Sequence, residues 1–151
     1  MTCINISRAA ATLALAASAI LAGCSSSPVT KGVIHGQLGV CPSSPNCVSS
    51  YNADETHKIA GLKFRGSKEA AKRKLVNVLG TRKDATIVED NGSYVWATFT
   101  SPVMSFKDDA EFFIQDNRVE VRSASRTGYS DFGKNRSRME EIRKAFEPCC
   151  D

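Results

Sequence analysis

Four short segments rich in β-branched and aromatic residues run through the middle of the chain: Thr86 to Glu89, Tyr94 to Thr100, Ala110 to Gln115 and Val119 to Ala124. Turn residues separate them, Asp90-Asn91-Gly92 in the first gap and Asp116-Asn117 in the last. Such side chains suit a pleated, half-buried surface, and Asn-Gly between two runs is a hairpin signal, so the pattern predicts four antiparallel strands. A meander of this kind is unstable until something covers an apolar face. Successive side chains on a strand alternate, which places Tyr94, Trp96 and Thr98 on one face and Val95, Ala97 and Phe99 on the other. Both faces therefore carry apolar groups. One is expected to take helices; the other lines a groove, or simply packs Trp96 at the sheet edge.

Two helices are available for the task. Ser67 is a natural N-cap, Ala71, Leu75, Val78 and Leu79 recur at helical spacing with Lys72-Arg73-Lys74 on the opposite side, and Gly80 is a stop. Near the C-terminus Ser137 and Glu140 have the spacing of a capping box, Asn135 offers a cap one turn sooner, and Met139, Ile142 and Phe146 mark a buried side before Pro148. Ile59, Leu62 and Phe64 predict one more strand within Lys58 to Phe64. The expected order is strand, helix, four strands, helix. That is an α+β domain, with an antiparallel sheet of four to five strands carrying two helices on one face.

The first 23 residues have a different character. One positive charge at Arg8, an apolar Ala- and Leu-rich run from Ala9 to Ile20, and Leu21-Ala22-Gly23-Cys24 form a signal peptide ending in a lipobox. The apolar run falls short of the roughly 20 residues that span a bilayer. The pattern resembles bacterial lipoproteins, which implies that Cys24 is diacylated and becomes the mature N-terminus. Two or more acyl chains anchor durably where one is marginal. Ser25, not Asp, follows that cysteine, which in a Gram-negative host resembles sorting to the periplasmic face of the outer membrane. The expected organisation is a signal peptide at 1–23, a lipidated cysteine and flexible tether at 24–40, and one domain at 41–151. A Ser- and Gly-rich coil of this length holds a domain on the order of 20 Å from the membrane. His35 falls within it, where a solvated side chain is the simpler expectation.

The chain carries a net charge of +4 from 20 Lys and Arg against 16 Asp and Glu, mixed in sign and without a long basic run. Nucleic acid is excluded as a partner on that ground. Export makes disulfides the first expectation for Cys41, Cys47, Cys149 and Cys150, which allow three connectivities. Adjacent cysteines bridge each other only with backbone strain, so links from the first pair to the C-terminal pair are a serious option. A four-thiolate zinc site ranks below them because neither pair has the usual ligand spacing.

Chemistry concentrates between Arg122 and Arg138, where a strand meets a glycine-punctuated loop and then a helix. No histidine lies near a candidate nucleophile, Gly-x-Ser-x-Gly is absent, and no phosphate loop occurs. Asp108 and Asp109 look like an acid pair, yet on a continuous strand they point to opposite faces. What remains is Arg122, Arg126, Arg136 and Arg138 with Ser123, Ser125, Tyr129 and Asn135, donors suited to a carboxylate or phosphate near a helix N-terminus. One expectation is thus a non-catalytic module for an anionic ligand: a lipid head group, a glycan or a carboxylate. Against it stands structural pairing of the arginines with Asp108, Asp109, Asp131 or Glu111, with Arg126 expected to be the one left free. The alternatives are an envelope protein-interaction or scaffold lipoprotein and, with least support, an enzyme using Asp109, Ser125 or Tyr129. No cofactor or metal is called for.

Three motifs carry a resemblance. Cys41-Pro-Ser-Ser-Pro-Asn-Cys-Val-Ser-Ser50, Phe106-Lys-Asp-Asp-Ala-Glu-Phe112 and the stretch from Arg122 through Gly128-Tyr129-Ser-Asp131 to Asn135-Arg136 together resemble the domain of unknown function 1499 family, from about Gly39 to Phe146. The resemblance implies no established activity, and Cys149 and Cys150 lie outside its pattern.

Overall fold

The computed structural model describes residues 31–147 and residue 149. The expected signal peptide, Cys24 with its lipidation, the first part of the tether and Cys150 lie outside them. In chain order the elements are β1 (Val33–Ile34), β2 (Gln37–Leu38), β3 (Cys47–Ser49), β4 (Leu62–Lys63), α1 (Lys68–Gly80), β5 (Ala85–Asn91), β6 (Tyr94–Thr100), β7 (Lys107–Ile114), β8 (Arg118–Ser125) and α2 (Lys134–Phe146).

The four expected central strands form the meander β5-β6-β7-β8, antiparallel throughout. Gly92, at φ +55°, takes the left-handed position that the two-residue turn between β5 and β6 requires. The sheet has six strands, not four to five, in the order β3-β8-β7-β6-β5 with β4 also on β8. Two short strands share that last edge: β3 pairs Cys47 to Ser49 with Ala124 to Arg122, and β4 pairs Leu62 and Lys63 with Val119 and Arg118. Only these two residues of the expected 58–64 strand are extended ladder.

Both helices enter one core. Ala71, Leu75, Val78 and Leu79 of α1 and Met139, Ile142 and Phe146 of α2 pack with Val95, Ala97, Phe99, Ala110, Phe112, Ile114, Val119 and Val121 of the sheet. The helical and strand periodicities converge on that face. Ser67 Oγ caps α1 by accepting from Ala70 N at 3.1 Å. α2 starts at Lys134, earlier than the capping box expects, so Ser137 lies inside the helix and its hydroxyl reaches Glu141 at 3.4 Å. Asp131 does the capping, accepting from Gly133 N at 3.0 Å and Asn135 N at 2.7 Å.

The last part of the expected tether is folded. Residues 33–38 form a small hairpin with Leu38 buried, Gly32 N donates to Glu111 at 2.7 Å, and Lys31 Nζ sits 4.2 Å from the centre of the Trp96 ring. Cys41 bonds Cys47, so links from that pair to the C-terminal pair do not form; Cys149 is disulfide-bonded as well. Among the described residues the core cluster runs from Val48 to Cys149. The domain therefore draws its core from downstream of the hairpin.

Candidate functional site

The arginine-rich stretch was the expected site, and the sheet register decides what each member does. β7 continues through both aspartates, and their side chains diverge: Asp108 Oδ2 accepts from Arg138 Nη2 at 2.5 Å on the helix side, while Asp109 takes partners on the other. Arg126 grips Asp109 with two hydrogen bonds, from Nε at 2.9 Å and Nη2 at 2.8 Å, and Nη2 also donates to Thr98 Oγ1 at 3.0 Å. Trp96 Nε1 donates to the same carboxylate at 2.9 Å and Lys31 Nζ lies 3.1 Å from it. Arg126 is exposed, as a loop residue should be, yet it is not the free guanidinium expected of it. Burial pushes the Asp109 carboxyl upward, but the donors Arg126, Trp96 and Lys31 outweigh it and hold it below the usual carboxylate range.

Arg122 is buried against Glu111, with Nη1 donating at 2.6 Å across the β7–β8 ladder. Tyr94 Oη and Gly32 N donate to the other oxygen of Glu111, at 2.8 and 2.7 Å. Burial and the Glu111 charge push the Tyr94 phenol far above its ordinary value, so it acts as a donor and never as a base. Arg136 donates to the carbonyls of Lys58 and Thr56 at 2.7 and 2.9 Å. None of the four guanidinium groups is without partners.

Asn135 is fully buried and works as a junction. Its Nδ2 donates to Asn46 O, Ser125 Oγ and Asp131 Oδ2, and its Oδ1 accepts from Ser123 Oγ and Arg138 Nη1. Asn46 Nδ2 in turn donates to Gly128 O at 2.6 Å, tying the disulfide loop to the 127–133 loop. The α2 N-terminus that was expected to receive a ligand anion already holds the Asp131 carboxylate. Of the expected anion-binding group, Arg122, Arg126, Asn135 and Arg136 hold the fold together, Ser125 borders open space, and Tyr129 stands 76% exposed.

That open space is a cleft of about 1120 Å³ at the end of the sheet where β6 turns into β7. Its walls are the 100–106 and 127–132 loops, the approach to β5 at Arg82 to Asp84, and the start of α2 at Lys134 and Arg138. Asp84 is gripped by Arg82, whose other nitrogen reaches Glu141 at 3.1 Å, and Asp108 is gripped by Arg138. Lys83 and Lys134, both exposed, line the cleft without an ion pair among the described residues. Phe106 and Phe132 stand on its lips, 55% and 98% exposed. Reasoning from the sequence missed these four residues. Their signal was there in a weak form, as phenylalanines in turn-rich loops beside lysine, where burial has no strand or helix period to explain them.

Fold and site together define an α+β domain whose carboxylates and guanidinium groups mostly pair internally and whose open ground is one end of the sheet. The chain belongs to the family described as protein of unknown function (DUF1499), whose pattern matches residues 37–146. No curated protein and no solved structure matches it.

Proposed function

We propose that this is a membrane-anchored envelope lipoprotein, held through Cys24, whose domain is a non-catalytic module for an anionic ligand with an apolar part. The observation that carries the reading is the cleft. It combines two cations without carboxylate partners among the described residues, Lys83 and Lys134, with exposed aromatic lips at Phe106 and Phe132 and the hydroxyls of Ser101, Thr127 and Ser130. An ammonium meets a phosphate or carboxylate as a point charge, the hydroxyls add directed hydrogen bonds, and the aromatic lips cover a hydrocarbon or ring. The ligand site thus moves from the arginines, which are engaged, to the lysines beside them.

The test is native mass spectrometry with lipid extraction on residues 25–151, purified from an oxidising compartment, beside a Lys83→Ala/Lys134→Ala form. An anionic amphiphile retained by the first and lost from the second, with both folded, is the expected result. A folded domain that carries nothing, or that keeps its ligand without both lysines, removes the cleft as the ligand site and favours a scaffold role.

A further inference from the structure

Eight large apolar side chains are exposed among the described residues, and five of them lie on the two loops that wall the cleft: Val103, Met104, Phe106, Tyr129 and Phe132. Their exposures run from 55% to 98%. Single exposed apolar residues need no explanation, but five grouped at one end of a domain mark a surface with a partner. Charge says which partner. Lys83, Lys107 and Lys134 surround the tips, exposed and without ion pairs among the described residues, whereas the carboxylates at this end are occupied: Asp84 by Arg82, Asp108 by Arg138, and Asp131 by the first turn of α2. An apolar centre ringed by unpaired ammonium groups complements a layer of anionic head groups over hydrocarbon.

We infer that this end of the domain is a membrane-contacting surface, in which Val103, Met104, Tyr129 and Phe132 enter the head-group boundary of an anionic bilayer while Lys83, Lys107 and Lys134 meet its phosphates. The contact needs no ligand inside the cleft. Val103, Met104 and Tyr129 do not line it, so docking and ligand capture can be separated by mutation.

The experiment is co-sedimentation of unlipidated residues 25–151 with phosphatidylglycerol–phosphatidylethanolamine vesicles, beside phosphatidylcholine vesicles. A Val103→Ser/Met104→Ser form provides the comparison, its fold checked by circular dichroism. The natural sequence should partition into the anionic vesicles at least about tenfold better than into phosphatidylcholine, and added salt should weaken that binding. The double variant, folded and with its cleft lining intact, should lose about tenfold of it. Equal partition into both lipids, or a variant that binds as well as the natural sequence, overturns the proposal. Failure here with a ligand still found by mass spectrometry would leave the cleft reading standing, and the reverse result would leave the membrane surface standing.

Discussion

Glu111 and Arg122 show most sharply what a single residue pair does in this sheet. Both are fully buried, directly opposite on β7 and β8, and joined at 2.6 Å. A buried carboxylate without its cation is expensive, whereas a pair replaced on both sides by apolar groups need not be. Arg122→Met should cost about 3–5 kcal/mol in urea unfolding, and adding Glu111→Leu should recover part of it, the remainder being the cost of leaving Tyr94 Oη and Gly32 N without their acceptor. A double variant no better than the single one would mean that the pair is not the reason for the loss. The sequence showed arginines and aspartates in quantity and the period that sends Asp108 and Asp109 to opposite faces. It could not show that Arg126, two residues past the Ala124 that faces Asp109, reaches diagonally back to that carboxylate, because register exists only after the strands have paired.

Elements with a strong period of their own were legible. α1 and its buried stripe, and the meander from β5 to β8, follow from apolar spacing and turn residues. β3 was not, since Cys47-Val48-Ser49 has no alternation and exists by pairing with β8 more than 70 positions away, the separation seen in the Ser50–Val121 contact. The start of α2 was misplaced for a related reason: Ser137 and Glu140 fit a local motif, but the Asp131 carboxylate takes Gly133 N, Asn135 N and Asn135 Nδ2 and so nucleates the helix earlier. A cap of this kind contributes about 1 kcal/mol. Asp131→Ala should therefore lower the thermal midpoint by a few degrees, while Ser137→Ala should leave it nearly unchanged. An equal loss from Ser137→Ala would place the true helix start at the capping box.

At the scale of the whole molecule, carboxylates fasten covers to both faces of the sheet. Asp109 holds Lys31 and Arg126 on the face bearing the hairpin, and Asp84 holds Arg82, which bridges from the start of β5 to Glu141 on α2. For both carboxyls burial raises the pKa, and the donors around them, Arg82 for Asp84 and Arg126, Trp96 and Lys31 for Asp109, more than reverse it, leaving each below its ordinary value of 3.8. A carboxyl whose pKa is depressed in the folded state binds a proton more readily when unfolded. Its contribution is complete above the ordinary value and is lost as the pH falls from there through the depressed one. Urea unfolding should therefore show a plateau from neutral pH down to about pH 5 and a decline below about pH 4. In an Asp84→Asn/Asp109→Asn form, less stable at neutral pH, the low-pH decline should be shallower. A decline that already sets in between pH 7 and 5, or one unchanged by the two substitutions, would assign the acid sensitivity to other groups.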